Sequence, residues 1–183
     1  MPNMTVIRPA AANETVEAWK AALGHTGGPV CLVLTRQKLP TLDRGGFGAA
    51  NGVARGGYVL DAGAGGDPDL ILIATGSEVH IALAAAATLR AEGANVRVVN
   101  LASRELFDLQ DAAYRESVLP AAVTARVAVE AAVSFGWGDI VGSAGAVVGL
   151  DRFGASAPAG ELFARLGITA ERVCERAREL LAT

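Results

Sequence analysis

The stretch DLILIATGSEVHIALAAAATLRAEGANVRVVNL, residues 69–101, decides the fold class. Residues 69–75 are an apolar run without polar alternation, which is the pattern of a strand buried on both faces. Residues 78–92 then place Val79, Leu83, Ala86 and Leu89 on one stripe of a helix. Gly93 follows as the residue best able to take the left-handed conformation past a helix end. Residues 96–101 return to an apolar, β-branched run. Strand, helix and strand in this order make two parallel strands joined by a helical crossover.

Working outward, the same grammar continues on both sides. Residues 58–61, 125–131 and 146–150 read as further strands, with short helices over 105–110 and 112–118 and an irregular stretch around Trp137. The last helix opens on Thr169 as N-cap, with Ile168 and Val173 placed as a hydrophobic staple and Glu171 in the first turn. The expected fold is α/β, a three-layer domain with a mostly parallel sheet.

Upstream the pattern is incomplete. Residues 5–8 are extended and stopped by Pro9. Asn13 reads as a helix N-cap, and Val16, Trp19, Ala22 and Leu23 form an apolar face on the helix it starts. The helix stops in 24–28, and 29–34 is a buried strand. This is one βαβ unit of a second α/β domain, too small to bury its own strands and helix. The expected partition is 1–42 for this piece, 43–56 for a Gly-rich linker and 57–183 for the complete domain. The segment 40–57, with Gly45, Gly46, Gly48, Gly52, Gly56 and Gly57, reads as having little to bury and much backbone freedom. Strands near 5–8 and 30–34 are expected to leave an exposed edge, prone to disorder or self-association.

Composition narrows the function classes. The chain has 183 residues, 51% of them hydrophobic, and 16 Lys and Arg against 19 Asp and Glu give a net charge of −3. A slightly acidic chain without a basic run is a poor fit to nucleic acid or an anionic membrane. It has no apolar stretch of about 18 residues, the minimum for a membrane span. The first residues lack the basic-then-apolar order of a secretory leader, and Cys31 and Cys174 read as ordinary thiols, so a cytoplasmic setting is expected. With His25 and His80 they show no zinc-ligand spacing, and both histidines read as surface helix residues without a partner.

Four motifs could carry chemistry. Thr75-Gly76-Ser77-Glu78 sits where a strand runs into a helix; its reading as a capping box, Thr75 as cap and Glu78 as reciprocal acceptor, outweighs an anion site, since a first-turn carboxylate repels phosphate. Residues 142–149 are glycine-rich but run into a strand, the wrong order for a dinucleotide fingerprint. Asp151 and Arg152 stand in a loop after a strand, as a ligand loop or as a structural turn pair. Arg36 and Lys38 end the strand over 29–34, where α/β proteins gather ligands; they are either phosphate-binding cations or strand-end charges reaching solvent.

The segments MPNMTVIRPAAANETVEAWKAAL (1–23), GPVCLVLTRQKLPTLDR (28–44), GGYVLDAG (56–63), DLILIATGSEVHIALAAAATLRAEG (69–93), VRVVNL (96–101), DAAYRESVLPAAVTARVAVEAAVSFGW (111–137) and GLDRFGASAP (149–158) together resemble the C-terminal part of a transketolase. The likeness runs collinearly through the chain. It departs at Ala11, where the family usually has Asp, at Ala102, where Pro is common, and at Ala132, where Gly is common.

The resemblance implies an enzyme of three α/β domains, dimeric, with active sites between subunits. Such an enzyme uses thiamine diphosphate and Mg²⁺ to move a two-carbon ketol unit between sugar phosphates. On this likeness residues 1–42 are the end of the pyrimidine-binding domain and 57–183 the C-terminal domain. Arg36, in LTRQ, matches the family arginine that grips the substrate phosphate. Cofactor, metal and catalytic groups of the family fall in chain not present here, neither His25 nor His80 matches a catalytic histidine, and Asp151-Arg152 is structural. The implied partners are the upstream portion and a second copy, with no activity expected of the chain alone. The rival expectation is a non-catalytic, stand-alone interaction or small-ligand-binding domain.

Overall fold

A computed structural model describes residues 2–182. Its centre is a five-stranded sheet made of β3 (Gly57–Asp61), β4 (Leu70–Ala74), β5 (Val96–Leu101), β6 (Arg126–Val129) and β7 (Ala146–Val148), in the spatial order β3-β5-β4-β6-β7. Strands β5, β4, β6 and β7 are parallel, and β3 runs antiparallel at one edge. All five residues of β4 are fully buried, as the unbroken apolar run requires of a central strand covered on both faces.

The two faces separate by the alternation of the strand. Leu70, Leu72 and Ala74 pack with α2 (Val79–Ala91) and α7 (Ala170–Leu181), while Ile71 and Ile73 pack with Phe107, Val118 and Ile140. The latter come from the short helices α3 (Arg104–Asp108), α4 (Ala112–Val118) and α5 (Gly138–Val141). The expected three-layer α/β domain is thus present. A final helical pair begins with α6 (Ala159–Leu166), and Thr169 caps α7 by accepting from the Arg172 N–H at 3.2 Å. Ile168 and Val173 are both buried, as the staple reading requires.

The N-terminal piece forms the expected βαβ unit. Strands β1 (Thr5–Ile7) and β2 (Val30–Leu32) are a parallel pair joined by α1 (Ala12–Gly24). The N–H groups of Thr5 and Val33 lie in the ladder between them. Those of Val6 and Arg8 point the other way and meet the Glu105 carboxylate and the Ala102 carbonyl, so the outer edge of β1 is covered by the larger domain. The outer edge of β2 has no strand beside it.

Two readings of this region are corrected. The N-cap of α1 is Ala11, which offers no side-chain acceptor; Asn13 lies inside the first turn, where its amide donates to the Leu42 carbonyl at 2.9 Å. The apolar face of α1 is also not its buried face. Val16, Trp19 and Leu23 are exposed, and the helix docks through Glu14 and Ala18 instead, because the larger domain lies on that side. The segment 40–57 differs as well: Leu42 and Val53 are buried, Ala50–Arg55 forms a 3₁₀ turn, and a Cβ at Gly52 would overlap the Tyr58 ring at 2.4 Å. Its glycine there serves close approach, not freedom. One continuous core holds Ile7, Ala18, Val53, Leu60 and Leu72.

Thr169→Ala removes the side-chain acceptor at the start of α7. It is expected to lower unfolding stability by about 1 kcal/mol in chemical denaturation, with no change in slope.

Candidate functional site

The strand read over 29–34 ends at Leu32, although the Val33 N–H still donates to the Ile7 carbonyl at 3.0 Å. Beyond it the chain bends at 36–37, and the Thr35 hydroxyl accepts from the Gln37 N–H at 3.1 Å, which fixes the bend locally. Thr35, Gln37 and Leu39 face a hollow of about 460 Å³ whose far wall is His80, Ile81 and Phe163 of the larger domain. Arg36 and Lys38 do not line it. Both are exposed, and neither side chain has a hydrogen bond or ion pair with any described residue. The arm therefore holds its polar and apolar side chains against the domain and presents two unneutralised cations.

What fixes this arm relative to the domain is a set of charged groups between the two. Glu14 is fully buried, and its two oxygens are saturated. One accepts from the Arg44 guanidinium at 2.8 Å and the Tyr58 hydroxyl at 2.6 Å; the other accepts from the Ala10 N–H and the Asn100 amide, each at 2.8 Å. Burial pushes the Tyr58 phenol far above its ordinary range, and the Glu14 carboxylate pushes it the same way. Arg44 also donates to the Gly48 carbonyl at 2.6 Å, so one guanidinium ties α1 to the 40–57 segment and to β3.

The second tie is Arg8. Its guanidinium bridges Glu78, at 2.9 Å, and Glu130, which also accepts from the Trp137 indole N–H at 2.9 Å. The Arg8 carbonyl accepts from the Gly76 N–H, and a Cβ at Gly76, whose φ is +58°, would press on the guanidinium at 3.3 Å. This overturns the capping-box reading. Thr75 makes no side-chain cap bond, and the Glu78 carboxylate, buried, turns to Arg8 and the Ser77 hydroxyl instead of back to the chain. A guanidinium outcompetes a single N–H for a buried carboxylate because the charge needs a counter-charge. His80 is likewise not a partnerless surface residue: it is half-buried, with its Nε2 3.0 Å from the Ala10 carbonyl.

Asp151 acts structurally, though not with Arg152, which is exposed. Its carboxylate accepts from the Ser134 N–H at 2.8 Å and from the Ser134 hydroxyl, clamping the loops after β6 and β7. Those bonds hold its carboxyl below the usual range. His25 ends α1, and Cys31 and Cys174 lie on β2 and α7. Among the described residues no group of three or more His, Cys, Asp or Glu side chains could hold a metal ion, and no helix is long and apolar enough to cross a membrane.

Two family models match this arrangement in chain order: the transketolase pyrimidine-binding domain over residues 1–41, and the transketolase-like C-terminal domain over 56–169. The chain belongs to the transketolase family. It is 53% identical over 182 residues to the chloroplastic transketolase of Craterostigma plantagineum, covering 99% of this chain and 34% of that one. Against transketolase 1 of Vibrio cholerae it is 51% identical over 181 residues, 99% of this chain and 27% of the relative. The chain thus spans between about a quarter and a third of the curated transketolases it matches. Among solved structures, a transketolase from Leishmania mexicana superposes with a TM-score of 0.89 at 42% identity, covering all of this chain and 26% of that one. A structure described as a split gene transketolase, an inactive β4 tetramer, matches with a TM-score of 0.75 at 27% identity and covers all of this chain and 59% of that one.

In this transketolase segment, Glu78 apart, the groups that fix the arm were not among the residues singled out in the sequence. Glu14 and Ala18 share a helix face with Ala11, a stripe of small residues carrying one carboxylate. That is the only sequence signal of the buried node, and the Val16–Trp19–Leu23 stripe masks it.

Glu14→Ala leaves Arg44, Tyr58 and Asn100 facing a void. Breaking a buried pair in this way is expected to cost about 3–5 kcal/mol, against about 1–2 kcal/mol for Tyr58→Phe, both read from urea unfolding. Asp151 gives an acid-side signature. Its folded pKa lies below the unfolded value of about 3.9, so the clamp contributes fully above that value and is lost as pH falls through the lower folded one. Asp151→Asn should flatten this acid limb of the stability profile.

Proposed function

We propose that this chain is the C-terminal segment of a transketolase that works with an upstream polypeptide and a second copy to transfer a two-carbon ketol unit between sugar phosphates, and that Arg36 holds the substrate phosphate. In this reading 1–42 is the end of the pyrimidine-binding domain, 43–56 the connection and 57–183 the C-terminal domain. Thiamine diphosphate and Mg²⁺ are held by the upstream portion, and the assembled enzyme works in the cytoplasm within sugar-phosphate metabolism.

The observation that carries the reading is Arg36 itself. It is an exposed guanidinium with no partner, at the carboxyl end of a parallel strand, on an arm fixed from behind. A guanidinium in that position can offer two parallel N–H donors to a phosphate. The exposed apolar stripe of α1 and the free edge of β2 support an upstream partner, since both are surfaces a complete domain buries. The likeness to a split-gene transketolase supports a chain that is inactive by itself.

The test is a ketol-transfer assay with this chain, the upstream portion, thiamine diphosphate and Mg²⁺, each piece alone serving as control. Turnover is expected only in the mixture. Arg36→Ala in the mixture should lower kcat/KM for phosphorylated substrates by about 10- to 100-fold, the size of a lost charge-assisted hydrogen bond. Unchanged kinetics with such substrates would remove Arg36 from the site.

A further inference from the structure

The alternation along the arm places a second residue beside Arg36. Thr35, Gln37 and Leu39 turn into the hollow against the larger domain, and the even-numbered residues between them do not. Across the bend at 36–37, Arg36 and Lys38, two positions apart, both lie off the lining of that hollow and are both exposed to solvent. We infer that Lys38 is a specificity-determining residue of the same site, a second cation that meets a phosphate ester alongside Arg36; this inference rests on the transketolase reading above.

Two observations support the pairing. Both side chains are exposed and free of any hydrogen bond, ion pair or ring contact with the described residues, while three half-buried cations are committed, Arg8 and Arg44 to carboxylates and Arg126 to carbonyls. The arm also adds two positive charges at one spot of a chain whose net charge is −3, which makes it a local attractor for an anion. A phosphate monoester carries close to two negative charges above a second pKa of about 6. One guanidinium matches half of that charge, and a flexible ammonium two residues on can match the rest as a point charge, without demanding fork geometry. The chemistry selected is a ketose or aldose bearing a terminal phosphate dianion, in preference to the same sugar unphosphorylated.

The experiment compares kcat/KM for a ketose phosphate with that for an unphosphorylated ketol donor in the assembled mixture, at low and high salt. Lys38→Gln should reduce this ratio about 3- to 10-fold, Lys38→Glu should reduce it further, and Lys38→Arg should restore it. The loss should be largest at low ionic strength and above pH 6. Where the mixture does not turn over, binding of the ketose phosphate and of its unphosphorylated counterpart by calorimetry reads the same ratio. A ratio unmoved by Lys38→Gln, or a fall of equal size for both substrates, overturns the inference. If Arg36→Ala still collapses the ratio in that case, only Lys38 is displaced; if neither variant moves it, the Arg36 reading falls as well.

Discussion

The burial of one carboxylate governs how this chain is put together. Glu14 sits with no solvent contact among Arg44, Tyr58, Asn100 and the Ala10 N–H, groups from the turn before α1, the 40–57 segment, β3 and β5. A charge taken so far from water is tolerable only when every lone pair is answered and a counter-ion is adjacent. That requirement locks four separate parts of the chain in one relative position, since moving any of them uncovers the charge. Around this point the apolar core runs from Ile7 and Ala18 through Val53 to Leu60 and Leu72 without a seam. The N-terminal βαβ unit is thus held as firmly as if it were native to the larger domain.

Arg8 extends the same logic to the carboxyl ends of the sheet. By standing between Glu78 and Glu130 it connects β1 to the start of α2 and the end of β6, beside the point between β4 and β6 where the connection leaving β4 runs to β5 and the one leaving β6 runs the other way to β7. Such a divergence is where α/β sheets open a crevice for ligands. Here the protein's own guanidinium lines a hollow of about 220 Å³ at that place, with the Trp137 indole N–H on the second carboxylate.

Much of the fold was legible in the sequence because it rests on local periodicity. The apolar run that became β4, the stripe of α2 and the cap and staple of α7 each depend on neighbours a few positions apart, and each stands in the structure. The errors share a different cause. Asn13 looked like a cap and Glu78 like half of a capping box because both have the right chemistry at the right local spacing. Each was claimed instead by groups far along the chain, the Leu42 carbonyl and Arg8. The α1 stripe misled for a related reason: the face that docks is set by Glu14 and its distant partners, and Val16, Trp19 and Leu23 stay exposed. Arg36 was visible as a cation at a strand end, but the neighbours that leave it free lie in 33–39 and in α2 and α6, which no local pattern reports.

The length of these ties has a consequence for the order in which the molecule is built. Glu14 and Asn100 are 86 positions apart, and Arg8 and Glu130 are 122 apart. Synthesis from the N-terminal side makes α1 before the strands it docks on, with an uncapped start and a carboxylate on the face it will bury. The Ala10 N–H and Arg44 can answer that carboxylate early, but the Tyr58 hydroxyl and the Asn100 amide come only later, so α1 has no complete resting place on its own. Strand β1 and helix α1 are consequently slow to settle, since they wait for β5 and then β6 to be made. Until then both stay unattached, open to a chaperone or to another copy of the same chain.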